Sequence, residues 1–367
     1  MRKALKVVAV NLAVLFVLVS LANVASSAFM YFYYKSQRSV SPKDPVLAYP
    51  VFHDKKRAFT LFDEFSKLRA EYHSYIGLRR LPFRGELTTV DEAGLRVHPA
   101  HGGDRPDAKR VGFFGGSTMW GTGSADDETI PALVDRASDA IVTLNLAESG
   151  YTSRQDLEML INLVNLKTPL DVAVFYDGAN DVALYCRAGQ AVNTDGQTDL
   201  IRTKMRRERD DAIVFLKVLE PVITLVEKAG HKLRFGSLKE IPFDCDKDPA
   251  RAEGVAALML SNWRNARAIA QANGLEFYAL LQPVAYVGTS DIAYLPPADA
   301  LAAQFRAVYP VLKRKIAQDS SGWMFDLSDV FDGTGPLYFD FCHVPGRGNA
   351  MVAKRIVELL GRAQPRR

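Results

Sequence analysis

The 367-residue chain lacks the marks of several common chemistries. It has three cysteines, Cys186, Cys245 and Cys342, with no CxxC pair and no Cys/His spacing of a zinc site, so no metal is expected. It has no long run of one charge: the net charge is +4, and the basic cluster at 204–209 (KMRRER) is short, carries its own acid and reads as a solvated helix face. No nucleic-acid partner is expected. The turn at residues 115–118 has no lysine before its serine, as a phosphate-binding loop requires, and residues 112–117 do not supply G-x-G-x-x-G. No cofactor is therefore expected. Met119 stands where a G-x-S-x-G elbow needs its second glycine, which excludes that motif as well.

What is present begins at the N-terminus. Residues 7–34 carry no charge, a run longer than the ~20 helical residues that cross a bilayer. Arg2, Lys3 and Lys6 precede it, and Phe29, Tyr31, Phe32, Tyr33 and Tyr34 cluster at its end before Lys35. Basic residues stay cytoplasmic and aromatic rings favour the interface. Residues 1–35 are thus expected to be an uncleaved single-pass anchor in the inner membrane, with the body on the periplasmic side. The alternative is a signal peptide cut near Ala25-Ser-Ser-Ala28. Both export the body.

Residues 36–108 read as a linker, with Pro42, Pro45 and Pro50, followed by a helix over 58–73 and a small β appendage over 81–98. From residue 109 to 367 the pattern alternates. Strands are expected at 110–114, 141–146, 171–176, 276–281 and 323–326. Helices are expected at 130–137, 155–166, 252–272, 301–317 and 348–360. An irregular insertion over about 186–250, with helical pieces such as 212–227, interrupts the alternation. The fold class is α/β: a three-layer α/β/α arrangement around a parallel sheet of about five strands. Ligands of such sheets bind beyond the C-terminal strand ends.

Candidate chemistry falls at those ends. The first strand runs into Gly115-Gly116-Ser117-Thr118-Met119-Trp120-Gly121, a serine on a tight turn at a helix start. Alone this is as compatible with a structural serine as with a nucleophile. The second strand leads to Ser149-Gly150-Tyr151 and the third to Asp177-Gly178-Ala179-Asn180-Asp181. Asp340-Phe341-Cys342-His343 precedes the last helix. These segments belong on one rim of the sheet.

In this order the blocks resemble the SGNH (GDSL-like) hydrolase superfamily. Its serine turn appears as Gly115-Gly116-Ser117 with Gly121, its glycine as Gly150, its GxND as Gly178-x-Asn180-Asp181 and its DxxH as Asp340-x-x-His343. Gly116 departs from the aspartate of many members. The resemblance covers residue 109 onward and implies an SGNH/flavodoxin-like fold and acyl transfer. It casts Ser117 as nucleophile, His343 as general base and acid, and Asp340 as the residue that orients the imidazole. It assigns the oxyanion hole to the Ser117 and Gly150 amides and the Asn180 side chain. Trp120 and Tyr151 flank the site and are expected either to contact substrate or to lie in the core. Asp181 is expected to be structural.

The implied substrate is an ester-bearing glycan or lipid. The leading expectation is an envelope esterase that hydrolyses or transfers O-acetyl groups on carbohydrate. A lipase or lysophospholipase is the second reading, and a non-catalytic assembly or binding protein of a polysaccharide system the third. Cys186 and Cys245 bracket the insertion and are expected to pair in an oxidising compartment, leaving Cys342 reduced and packed; a Cys186–Cys342 bond is the alternative.

Overall fold

The structure is a computed structural model that describes residues 2–38, 44–99, 105–189 and 242–362, with residues 201, 222, 225 and 226. The helical pieces expected inside the insertion, 212–227 among them, lie outside the described residues apart from residues 222, 225 and 226. Two compact units emerge: Met1–Val40 with Asp199–Glu240, and Ser41–Thr198 with Ile241–Arg367. In the first, helix α1 (Arg2–Arg38) contains the stretch Leu5–Phe29, of mean hydropathy 2.5 and with its large apolar side chains exposed. It is long and apolar enough to cross a membrane.

The second unit opens with a 3-10 turn at Pro45–Ala48 and helix α2 (Lys55–Lys67), capped by Asp54, whose Oδ1 accepts the Arg57 N–H at 2.9 Å. The helix expected to reach residue 73 stops at Lys67, because Leu68 turns extended (φ −61°, ψ 136°). Residues beyond it enter strand β1 (Ala70–His73), paired antiparallel with β2 (Gly77–Arg80). A second hairpin joins β3 (Phe83–Arg84) and β4 (Thr89–Val90). Helical spacing of Phe59, Leu61, Phe62, Phe65 and Leu68 says nothing of a pairing partner further along the chain.

The main sheet has strands β5 (Lys109–Gly115), β6 (Ile141–Asn145), β7 (Val172–Asp177), β8 (Glu276–Leu281) and β9 (Met324–Asp326). All neighbours run parallel, in the order β6-β5-β7-β8-β9. That is the flavodoxin-like doubly wound order, with its switch point beside the first strand. The helices are α3 (Ser117–Trp120), α4 (Ile130–Ala137), α5 (Ser153–Asn165), α6 (Ala179–Tyr185), α7 (Pro249–Ala272), α8 (Asp299–Ala317) and α9 (Gly346–Arg362).

Strand β7 is buried at all six positions, as an internal strand covered on both faces must be. Ala173 and Phe175 pack into a core with α5, α6, α7 and α8. Val172, Val174 and Tyr176 face the opposite core, with α3, α4 and α9. The period of two divides the sheet into its two covered faces and yields three layers, α/β/α. Cys186 and Cys245 are disulfide-bonded, and Cys342 is a free, buried thiol. The bond joins the end of α6 to the segment leading into α7, on the side where Asp244 N–H also returns to the Cys186 carbonyl at 2.9 Å.

Candidate active site

The turn after β5 brings Ser117 to the first position of α3, with Gly116 as its N-cap. Across from it, the loop before α9 presents Asp340 and His343. Ser117 Oγ lies 2.6 Å from His343 Nε2, and His343 Nδ1 lies 2.6 Å from Asp340 Oδ2. The loop builds its own acid: Asp340 Oδ1 accepts the N–H groups of Cys342 at 2.9 Å and His343 at 2.8 Å. The three-residue spacing thus pins one carboxylate oxygen to the turn and leaves the other for the imidazole. Burial opposes ionisation of Asp340, but the neighbouring His343 and these bonds outweigh it and hold the carboxyl below its usual range. An acceptor at Nδ1 requires that nitrogen to carry the proton. Nε2 is left as the acceptor that faces the serine hydroxyl.

The imidazole is held on its face as well as its edge. Phe339 stacks on it, 5.6 Å between centroids with 13° between planes, and Phe341 meets it edge-on at 6.4 Å. Phe339 in turn packs with Phe52 at 5.4 Å and Phe62 at 5.5 Å. The segment that follows the N-terminal helix therefore backs the histidine.

Asp340, Cys342 and His343 offer three ligand-type atoms within 4.8 Å of one another. They are a poor donor set for a metal. His343 Nδ1 is committed to Asp340, and burial together with the Asp340 charge pushes the Cys342 thiol well up, away from the thiolate a metal needs.

The other predicted site residues lie in the loop after β6, Gly150, and on α6, Asn180. Gly150 has φ +81°, which turns its peptide where other residues would be strained. Among the described residues the N–H groups of Ser117 and Gly150 donate to no protein acceptor. Asn180 Nδ2 donates to the Tyr151 carbonyl at 2.7 Å, which spends one amide hydrogen and leaves the second. Gly116 lies against this amide: a Cβ there would sit well inside contact distance of Asn180 Nδ2. The departure from aspartate at Gly116 therefore goes with a close approach between the nucleophile turn and Asn180.

Trp120 and Tyr151 are packed into the core; each is 1% exposed. Trp120 lies between two guanidinium groups, Arg96 at 4.4 Å and Arg80 at 5.2 Å from its ring. Asp181 is structural in its contacts: it accepts the Ser153 N–H at 3.1 Å and hydroxyl at 2.5 Å.

Several contributors carry no motif. Arg96, 2% exposed, donates to the carbonyls of Gly121 and Ser124 at 2.6 Å each and to Asp126 at 3.0 Å, and so ties down the C-terminal end of α3. Glu148, also buried, accepts the N–H of Arg80 at 2.8 Å and of Ser149 at 2.6 Å, which fixes the loop before Gly150. Burial raises the Glu148 pKa and the Arg80 charge works against that rise. Nothing in a single sequence marks an arginine at 96 as the partner of carbonyls some 25 residues later.

No family model matches the sequence, and no curated protein matches it. Solved structures do align. A carbohydrate acetylesterase from Sinorhizobium meliloti is 12% identical, with 70% of this chain and 100% of that one covered and a TM-score of 0.39. A member of the lipolytic protein G-D-S-L family from Veillonella parvula is 14% identical, with coverage of 70% and 100% and a TM-score of 0.37. The native aryl esterase of M. smegmatis is 12% identical, with the same coverage and a TM-score of 0.39. The chain is thus similar to structures described as esterases and lipases, several of them of the GDSL type, at a level that carries nothing about its activity.

Proposed function

We propose that the protein is a serine esterase of the SGNH type, held at the membrane by its N-terminal helix, that hydrolyses or transfers acyl groups. The observation that carries this reading is the unbroken hydrogen-bond chain Ser117–His343–Asp340, with Ser117 and Gly150 N–H groups that donate to no acceptor among the described residues. Ser117 Oγ attacks an ester carbonyl as His343 Nε2 takes its proton. The tetrahedral oxyanion is met by the Ser117 and Gly150 amides and the remaining Asn180 N–H. His343 then protonates the leaving alcohol, and water or a second hydroxyl takes the acyl group from the serine by the reverse steps. Asp340 keeps the proton on Nδ1 and stabilises the imidazolium.

Within acyl esters, the substrate we propose is O-acetyl carbohydrate of the cell envelope. An exported body tethered to the outer face of the inner membrane meets such glycans directly. The same tether supports a second reading, a lysophospholipase that works on the lipid beside it. A panel of acetylated sugars, short-chain p-nitrophenyl esters and lysophospholipids, run with the wild type and Ser117→Ala, separates these. Turnover of acetylated sugars lost in the variant is expected; turnover of lysophospholipid alone would replace the first reading with the second. Protease accessibility in spheroplasts tests the topology, with the body expected to be cut from outside.

A further inference from the structure

Behind the Ser117 turn lie three carboxylates that the reaction does not use. Asp156 on α5, Asp177 at the end of β7 and Asp181 on α6 are each at most 2% exposed. Among the described residues none has an ion-pair partner. Asp181 has the Ser153 N–H and hydroxyl as donors. The other two have one donor each: Gly115 N–H reaches Asp156 Oδ1 at 3.1 Å, and Trp263 Nε1–H reaches Asp177 Oδ2 at 2.6 Å. Among the described residues their second oxygens, Asp156 Oδ2 and Asp177 Oδ1, are buried without any donor, while the two carboxyl groups lie within hydrogen-bonding reach of each other.

Two ionised carboxylates in contact in a dry interior would repel, and each would keep a bare oxygen. One proton between them removes both costs and supplies the missing donor. We propose that Asp156 and Asp177 share a single proton at neutral pH, and that this bridge is a positioning pair holding the Gly115 peptide, and with it the Ser117 turn, against the end of β7. Burial, followed by the Asp177 charge, drives the Asp156 carboxyl well up, which makes it the group that carries the proton. The neighbours facing the pair are Asp181 from α6, Asn262 and Trp263 from α7, Ser153 from α5, Tyr151 from the loop before α5 and the Gly115 peptide from β5. Two of these titrate: Asp181, pushed up to about 7 by burial and then by Asp177, and Tyr151, pushed up by burial and so further from ionising than an ordinary tyrosine.

The positioning role rests on Ser117 being the nucleophile; the shared proton does not. Asparagine at 156 can donate to Asp177 and still accept from Gly115, so Asp156→Asn should keep kcat within about threefold, whereas Asp156→Leu should lower kcat by about tenfold or more with KM little changed. For stability the sign follows from the raised pKa. The folded state holds a proton that the unfolded chain gives up, so this contribution is present at low pH and lost as pH rises through the folded value. The melting temperature of Asp156→Asn should therefore gain on the wild type as pH rises above the ordinary carboxylate range. Asp181 titrates in both proteins, so the difference between them is the readout.

Infrared difference spectroscopy of the wild type against Asp156→Asn should reveal the C=O stretch of a buried protonated carboxyl that the variant lacks. Absence of that band, or a melting difference that does not change with pH, would overturn the shared proton. The band together with unaltered kcat in Asp156→Leu would overturn the positioning role. If Asp156→Leu does not fold, Asp177→Asn gives the same infrared and melting tests. Esterase activity that survives loss of Ser117 would refute the nucleophile while leaving the band in place, so the two failures are distinguishable.

Discussion

The two sides of the candidate site are built on opposite plans. The Asp340–His343 side is local: four consecutive residues make a turn whose amides hold the acid and whose acid holds the imidazole. The Ser117–Gly150–Asn180 side is assembled from the ends of three strands and braced from the N-terminal segment by Arg96 and Arg80. A local device is fixed by spacing in sequence. A distributed one needs the whole sheet in register and the appendage in place. Damage to the local side should therefore fall on rate, and damage to the distributed side on rate and stability together.

The largest effect is expected where the local device is broken chemically with its shape kept. Asp340→Asn should leave the fold intact and lower kcat by about 10⁴-fold, because an amide no longer holds the proton on Nδ1. Acidification tests the same side. Asp340 is held below the usual carboxylate range, so it stays ionised as pH falls through that range, and its protonation should not contribute to any loss of kcat/KM there. An acid limb of kcat/KM that falls with the protons of two groups would contradict this.

Next in size is Arg96→Ala. It strips a buried guanidinium from Asp126 and two carbonyls and should destabilise the protein by about 3–5 kcal/mol in denaturant titrations. Lysine should not rescue it, since one ammonium cannot span those acceptors. If Arg96→Ala left stability unaltered and lowered only kcat, the bracing role would be wrong.

Asn180→Ala should lower kcat by about 10²–10³-fold with KM little changed, as a donor that strengthens with developing charge should. A rise in KM at constant kcat would make Asn180 a substrate-binding residue. The smallest effect is expected from Gly116→Ala: the new methyl meets the Asn180 amide, and about a tenfold loss of kcat, roughly 1.4 kcal/mol, should follow together with a lowered melting temperature. Full activity in this variant would mean that the close approach does not matter.

Legibility in the sequence follows the same division. The five strands and their order along the chain were readable because buried parallel strands are short apolar runs; β7, closed on both faces, is the clearest. Asp340 and His343 were singled out because Asp340-x-x-His343 resembles the DxxH block of SGNH hydrolases, and the contacts that join them are made within one turn. The end of α2 was not, since Ala70–His73 become a strand only by pairing with Gly77–Arg80. Nor were Arg96, Glu148 and Phe339, whose roles arise from contacts made after the chain has folded. Trp120 and Tyr151 were open to two readings because an aromatic residue beside a nucleophile looks the same in sequence whether it lines a pocket or fills the core; burial decides for the core.

The most direct test is covalent. The wild-type protein, treated with a fluorophosphonate or trapped during turnover of p-nitrophenyl acetate, should yield by peptide mass spectrometry a single adduct on Ser117 that is lost in His343→Ala. An adduct on another residue, or undiminished ester turnover in folded Ser117→Ala, would contradict the assignment of Ser117 as nucleophile.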